Sequence, residues 1–220
     1  MKKRDLPVVL LNLVATLAAL LLLVPIVYGE SGYFAVTGRV IDHSGRLLQN
    51  VKVELVGKGV TFTDKDGKYA FEDVPPGDYV IKFSKAGFLT FSRYGTLDNS
   101  SGTVAGAELF TRAQLQDFIG PWDSAKGIII GEVSAPEQIS GAGLRTEPQV
   151  GQVTYLEEGG VSESGFKIPG TSGLFVVRNV MPGQYTISLE HPTLKWTTRG
   201  ISVSPDEVSF VEMFIYAPAN

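Results

Sequence analysis

The chain has 220 residues, 44% of them apolar, so it can bury a sizeable core and fits one large or two small domains. It contains no cysteine, which excludes disulfides, thiolate catalysis and cysteine-ligated metals. The net charge of −4 argues against sequence-independent binding of nucleic acid, which requires a basic surface.

The first 29 residues have the layout of a targeting segment. Three basic residues in positions 1–4 precede an almost unbroken apolar run at 6–27, and Gly29 offers a small residue for cleavage. The run is long for a signal peptide and close to the length that spans a bilayer, so a cleaved signal and a retained membrane anchor both remain open. The basic flank predicts under either interpretation that the rest of the chain is exported, either to the periplasm or outside the cell.

Short alternating segments begin after this leader. Apolar and polar residues alternate at 36–40, 51–55, 69–71 and 79–83, which predicts strands with one buried and one solvated face. Turn pairs separate them, namely Ser44-Gly45, Asp66-Gly67 and Pro76-Gly77. Short strands punctuated by glycine and proline indicate a β-sandwich.

One helix is predicted between two such regions. Thr111 and Gln114 have the spacing of a capping box, in which each side chain bonds the other residue's backbone N–H. Gly120 and the proline after it should end the helix. The predicted buried stripe consists of Leu115, Phe118 and Ile119. We therefore interpret residues 111–126 as a short helical linker.

The second half of the chain repeats the first. Residues 66–83 align without gaps to residues 172–189 at an offset of 106, and Gly38 aligns to Gly131 at an offset of 93. The identical pairs are Gly67/Gly173, Val74/Val180, Pro76/Pro182, Gly77/Gly183, Tyr79/Tyr185 and Ile81/Ile187. The second copy is thus 13 residues longer, with the insertion at 134–171. The last predicted strand, 208–216, is apolar on both faces and should lie centrally in a sheet.

Four motifs of the first half occur in an order that resembles the carboxypeptidase regulatory-like domain. They start at Gly38, Thr63, Val74 and Ala86, and Leu47 departs from the family, which often has proline there. The resemblance implies a seven-stranded, transthyretin-like Greek-key sandwich with a non-catalytic accessory role. The second half resembles the family only through the repeated segments.

The sequence therefore predicts an all-β protein with two tandem seven-stranded Greek-key sandwiches. The predicted parts are a signal peptide or membrane anchor at 1–29, a first sandwich at 30–110, the helical linker at 111–126 and a divergent second sandwich at 127–220.

Neither a metal site nor a cofactor site is predicted. The chain has two histidines, His43 and His191, and neither has a glutamate at metal-ligand spacing. Asp64, Asp66 and Gly67 resemble the start of a calcium loop, but the further ligands of such a loop do not follow, so a β-turn is expected there. We predict that the protein is not an enzyme and has no catalytic residues, with an unrecognised hydrolase as a remote alternative.

Binding is the predicted activity, and the partner is expected to be an envelope or surface protein. The insertion at 134–171 is the first candidate for the contact, since loops on a rigid scaffold often carry function. Carbohydrate binding is the alternative, because exposed aromatic side chains stack on sugar rings. The candidate ligand-binding residues are Tyr94, Trp122, Tyr155 and Trp196. The other interpretation is structural, with Trp122 packing the linker against a sandwich and Trp196 filling a sheet edge. Contact with a membrane is expected only through residues 6–27, if they are retained.

Overall fold

A computed structural model describes residues 32–97, 105–135, 139–157, 160–163, 165, 172–191, 195–196 and 198–216. The leader predicted for residues 1–29 lies outside them. The described part is mostly β-strand with a single helix, which confirms the all-β prediction. No helix in this part has the length and apolar character needed to cross a bilayer. The chain divides into two compact units between Gly120 and Pro121.

The first unit contains seven strands within its described residues. They are β1 (Phe34–Asp42), β2 (Lys52–Leu55), β3 (Gly59–Phe62), β4 (Lys68–Val74), β5 (Gly77–Ser84), β6 (Thr90–Leu97) and β7 (Ala107–Leu109). β1 pairs antiparallel with β4 and parallel with β7. The other strands follow the order β3-β2-β5-β6 with antiparallel pairing.

The predicted alternation places the core of this unit. Val53 and Leu55 of β2 lie opposite Phe83 and Ile81 of β5, and none of the four side chains is more than 2% exposed. The polar residues between them point to the other face of the sheet, because successive strand side chains alternate.

The predicted turn at 64–67 is confirmed. The Asp64 carboxylate accepts backbone hydrogen bonds of 2.8 Å from Lys68 and Asp66, and these bonds lower the pKa of Asp64. Gly67 has a φ of 68° and donates its N–H to the Asp64 carbonyl. A glycine is favoured here because this backbone conformation strains residues that carry a Cβ.

The helix α1 (Arg112–Ile119) begins with the predicted capping box. Gln114 N–H donates to the Thr111 hydroxyl at 3.3 Å, and Thr111 N–H donates to the Gln114 side chain at 2.9 Å. Gly120 ends the helix as predicted, and Leu115 is 1% exposed. Phe118 and Ile119, the other residues of the predicted buried stripe, are only partly buried. The boundary between the units falls within the predicted linker 111–126, so that α1 lies in the first unit.

The second unit has nine strands among its described residues, two more than the family resemblance implied. They are β8 (Gly127–Ser134), β9 (Gly143–Glu147), β10 (Val153–Glu157), β11 (Gly160–Ser162), β12 (Ser172–Val180), β13 (Gly183–Glu190), β14 (Lys195–Trp196), β15 (Thr198–Val203) and β16 (Glu207–Tyr216). One sheet contains the order β11-β10-β12-β8-β16, and the other has the order β15-β13-β9.

The two units share their central pairings. In the first unit Gly38 lies opposite Tyr69, and in the second Gly131 lies opposite Phe175, at the positions that the sequence repeat aligns. The parallel pair of β1 with β7 corresponds to the parallel pair of β8 with β16. The repeat thus extends from residue identities to strand register.

The two units differ in the strands that lie beside β2 and its counterpart β9. β9 occupies the place of β2, because Leu144 pairs with Leu189 as Val53 pairs with Phe83. In the first unit β3 then returns along the edge of β2. In the second unit β10 and β11 join the edge of β12 instead. The short strand β14, which pairs with β16, completes the nine.

Candidate functional site

A groove of about 400 Å³ lies along β9 in the second unit. Its walls are β9, residues 149–153 and the side chain of Glu190 on β13. A smaller recess of about 150 Å³ adjoins it above Thr186 and Ser188. Most of the groove is therefore built by the insertion at 134–171, the segment predicted to carry specific contacts.

Three hydrogen bonds hold the groove in shape. Thr146 Oγ1 accepts the N–H of Val150 at 2.9 Å, which ties the loop after β9 back to the strand. The Tyr155 hydroxyl accepts the N–H of Leu144 at 2.8 Å, and Arg145 donates to Glu190 at 2.9 Å. The last pair is largely exposed, so we expect it to contribute little to stability. Burial raises the pKa of Tyr155, and the bond from Leu144 offsets part of that rise.

The backbone of β9 presents hydrogen-bonding groups to this groove. Because the Leu144 N–H bonds Tyr155, it points away from β13. In an antiparallel pair the N–H and C=O of one residue point to the same side, and residues two apart share that side. The Leu144 carbonyl and both backbone groups of Thr146 therefore face outward from the sheet edge.

In the first unit the corresponding edge, that of β2, pairs with another strand. The residues of β2 that match Leu144 and Thr146 are Val53 and Leu55, which lie opposite Thr61 and Gly59 of β3. The edge that β3 covers in the first unit is thus bordered in the second by a loop and a groove.

Three of the four predicted ligand-binding aromatics are buried. Tyr94 is 5% exposed, Trp122 is 6% exposed and Tyr155 is 4% exposed. Stacking on a sugar requires an accessible ring face, which these side chains do not offer. Trp196 lies in β14, but its side chain is outside the described residues. The Tyr155 side chain contacts β9 at the groove, where its hydroxyl accepts the Leu144 N–H.

A titratable cluster in the first unit was not predicted. The His43 ring lies 2.9 Å from Glu108 Oε1 and stacks near Phe110 and Phe118. Glu108 is 5% exposed, and its Oε2 has no hydrogen-bond partner among the described residues. Burial raises the pKa of Glu108, and the His43 ring offsets part of that rise. The only sequence signal was a lone carboxylate in the apolar run 105–110.

Asp42 lies beside this cluster in a separate network. Burial disfavours its ionised form, but hydrogen bonds from Ser44 and Arg46 outweigh this and lower the pKa of Asp42. The other histidine, His191, contacts the Ser140 carbonyl at 3.1 Å. Within the described ranges, no group of three or more histidine, aspartate or glutamate side chains could hold a metal ion.

A family of known protein domains matches the first unit. The family model of the carboxypeptidase regulatory-like domain matches residues 35–109. Colossin-B of Dictyostelium discoideum is 39% identical over 56 residues, which make up 26% of this chain and 1% of Colossin-B.

Solved structures with similarity over most of the chain include two pilins. A streptococcal ancillary pilin is 15% identical with a TM-score of 0.32, over 84% of this chain and 63% of that one. GBS52, the minor pilin of Streptococcus agalactiae, is 11% identical with a TM-score of 0.26, over 84% and 97%. Because both TM-scores are this low, neither structure shows which residues of the pilin correspond to which residues of this chain. From the family match, residues 35–109 of this chain are a carboxypeptidase regulatory-like domain.

Proposed function

We propose that this protein is a non-catalytic, exported binding module that receives an extended segment of a partner protein in the groove along β9. The observation that carries the proposal is that no described strand pairs with the outer edge of β9, at the place where the first unit has β3. The basic and apolar leader at 1–29 supports export to the periplasm or the cell exterior. The family of residues 35–109 supports an accessory role.

The chemistry of the edge favours a strand as the ligand. Outward N–H and C=O groups of an edge strand bind an extended peptide by backbone hydrogen bonds, and the neighbouring side chains select its sequence. The groove is lined by the apolar residues Val150 and Val153 and by the charged residues Arg145 and Glu190. We therefore expect a partner segment that alternates apolar and polar residues.

Two tandem sandwiches of one family remain part of this proposal. Their support is the shared register of Gly38 with Tyr69 and of Gly131 with Phe175. The repeat also sets matched backbone conformations, since Asp73 has a φ of 53° and its counterpart Asn179 a φ of 58°. Such values are uncommon outside glycine, so their recurrence at aligned positions favours a common ancestor fold.

The test is site-specific photo-crosslinking in the native cell. A photoreactive residue at Gln149, on the groove rim, should yield one discrete adduct with a protein. Thr146→Pro should abolish this adduct because it removes the outward N–H, whereas proline is tolerated at a free strand edge. Thr146→Ala is the matched control, since it removes the hydroxyl and keeps the N–H.

The same probe at Lys65, in the exposed turn of the first unit, controls for non-specific capture. Equal adducts from both positions, or an adduct that survives Thr146→Pro, would contradict strand binding at β9. Tryptophan fluorescence of each variant checks folding of the second unit, because Trp122 and Trp196 both lie in it. Carbohydrate binding is not retained as a second function, given the burial of three candidate aromatics.

A further inference from the structure

The edge strand β3 of the first unit exposes an apolar surface that no described residue covers. Val60 is 50% exposed and Phe62 is 60% exposed, and both side chains point to the same face because they are two residues apart. Val56, in the turn before the strand, is 51% exposed. Natural edge strands usually carry charged or proline residues that prevent pairing, and β3 itself has neither.

The backbone of β3 has its free groups at the same two residues. Thr63 N–H donates to the Val51 carbonyl, and Asn50 N–H donates to the Thr63 carbonyl, so the groups of Thr63 point toward β2. Alternation gives Thr61 and Gly59 the same direction. The N–H and C=O of Val60 and Phe62 therefore point outward, away from the sheet.

We propose that β3 pairs with β3 of a second copy of this chain, antiparallel, with the twofold axis at Thr61. This register places Val60 opposite the second copy's Phe62, and the reverse, so all four outward groups on each strand form hydrogen bonds. It also brings the apolar side chains together on one face across the seam.

Charge supports this register. With the axis at Thr61, Lys58 in the turn before β3 comes near Asp64, which follows β3, of the second copy at both ends of the paired segment. A shift of the axis to Val60 would place Lys58 opposite Phe62 and would leave fewer outward groups paired. A second copy is favoured over an unrelated strand because one sequence supplies both the apolar match and the opposite charges.

The symmetry also limits the assembly. A twofold contact uses the same edge on both copies and closes after two chains, so this contact forms dimers and no fibres. In this register three residues of β3, 60–62, lie opposite β3 of the second copy, which is short for a stable sheet, so a weak dimer is expected. The inference concerns a surface of the first unit and does not depend on the groove along β9.

The test measures mass against concentration for the whole protein by analytical ultracentrifugation. We expect the mass to rise from one chain toward two over about 10 to 500 μM. Phe62→Lys should weaken dimerisation at least about tenfold, because it puts a charge into the seam. Met181→Lys is the matched control, since Met181 is also 60% exposed but lies in the second unit, and it should dimerise like the parent.

A thiol at the axis tests the register independently. The chain has no cysteine, so Thr61→Cys introduces a single thiol, and residues on the axis face their own copy. Mild oxidation should link Thr61→Cys into a dimer and leave Met181→Cys mostly unlinked. A parent protein that stays monomeric throughout would overturn the proposal. A Phe62→Lys variant that dimerises like the parent would do so too.

Discussion

Replacement of Gly131 by alanine should destabilise the second unit by about 3 kcal/mol, at the upper end of the cost of an overfilled core. A Cβ at Gly131 would lie 2.0 Å from Phe175 Cζ and 2.2 Å from Cε1, far inside van der Waals contact. Phe175 is fully buried, with 0% exposure, so its ring has no open space into which to move. The two residues pair across β8 and β12, which fixes the approach.

Urea unfolding followed by tryptophan fluorescence measures this effect, since both tryptophans lie in the second unit. Gly200→Ala is the matched control. Gly200 also lies in a strand, but a Cβ at this position would have no atom within 4 Å. Gly200→Ala should therefore stabilise the second unit by about 0.5 kcal/mol. Combining Gly131→Ala with Phe175→Leu should cost clearly less than the sum of the two single changes. A loss below about 1 kcal/mol for Gly131→Ala, or strictly additive effects, would refute the predicted clash.

Two further changes test the first unit. Because burial raises the pKa of Glu108, its contribution to stability is complete below its ordinary pKa of 4.5 and is lost as the pH rises through the higher folded-state value. Urea unfolding followed by circular dichroism should give Glu108→Gln and the parent the same free energy of unfolding near pH 4.5. At pH 8 the free energy of unfolding of the variant should be about 1 kcal/mol higher. A difference of the same size at both pH values would contradict this. Thr111→Ala should cost about 1 kcal/mol in the same assay by removing the helix cap, whereas Thr111→Ser should cost much less.

Local patterns predicted much of the fold. Alternation identified the buried positions of β2 and β5, since side chains on a half-buried strand must alternate wherever it lies. The turn at Asp64 and the cap at Thr111 were also predictable, because a short polar side chain satisfies backbone groups a few residues away. These features depend on neighbours in the sequence alone.

The site depended on contacts that sequence patterns do not encode. The sequence offered Tyr94, Trp122 and Tyr155 as candidates for exposed binding aromatics or for packing residues, and it could not decide between the two because burial is set by elements distant in the chain. His43 and Glu108 are 65 residues apart, and only the parallel pairing of β1 with β7 brings them together. The extra length of the insertion was visible in the repeat, but its placement beside β12 was not.

The position of a single strand distinguishes the two proposed binding surfaces. In the first unit β3 pairs with β2, so β3 is the edge strand of the sheet. This edge strand is short, and its apolar side chains are exposed. Where no strand of the described insertion residues pairs with the outer edge of β9, this edge lies between a loop and Glu190. A recessed edge admits only a slender extended segment, whereas an exposed edge can meet an equal edge on another folded chain. One repeat should therefore favour a flexible partner segment and the other should favour its own copy.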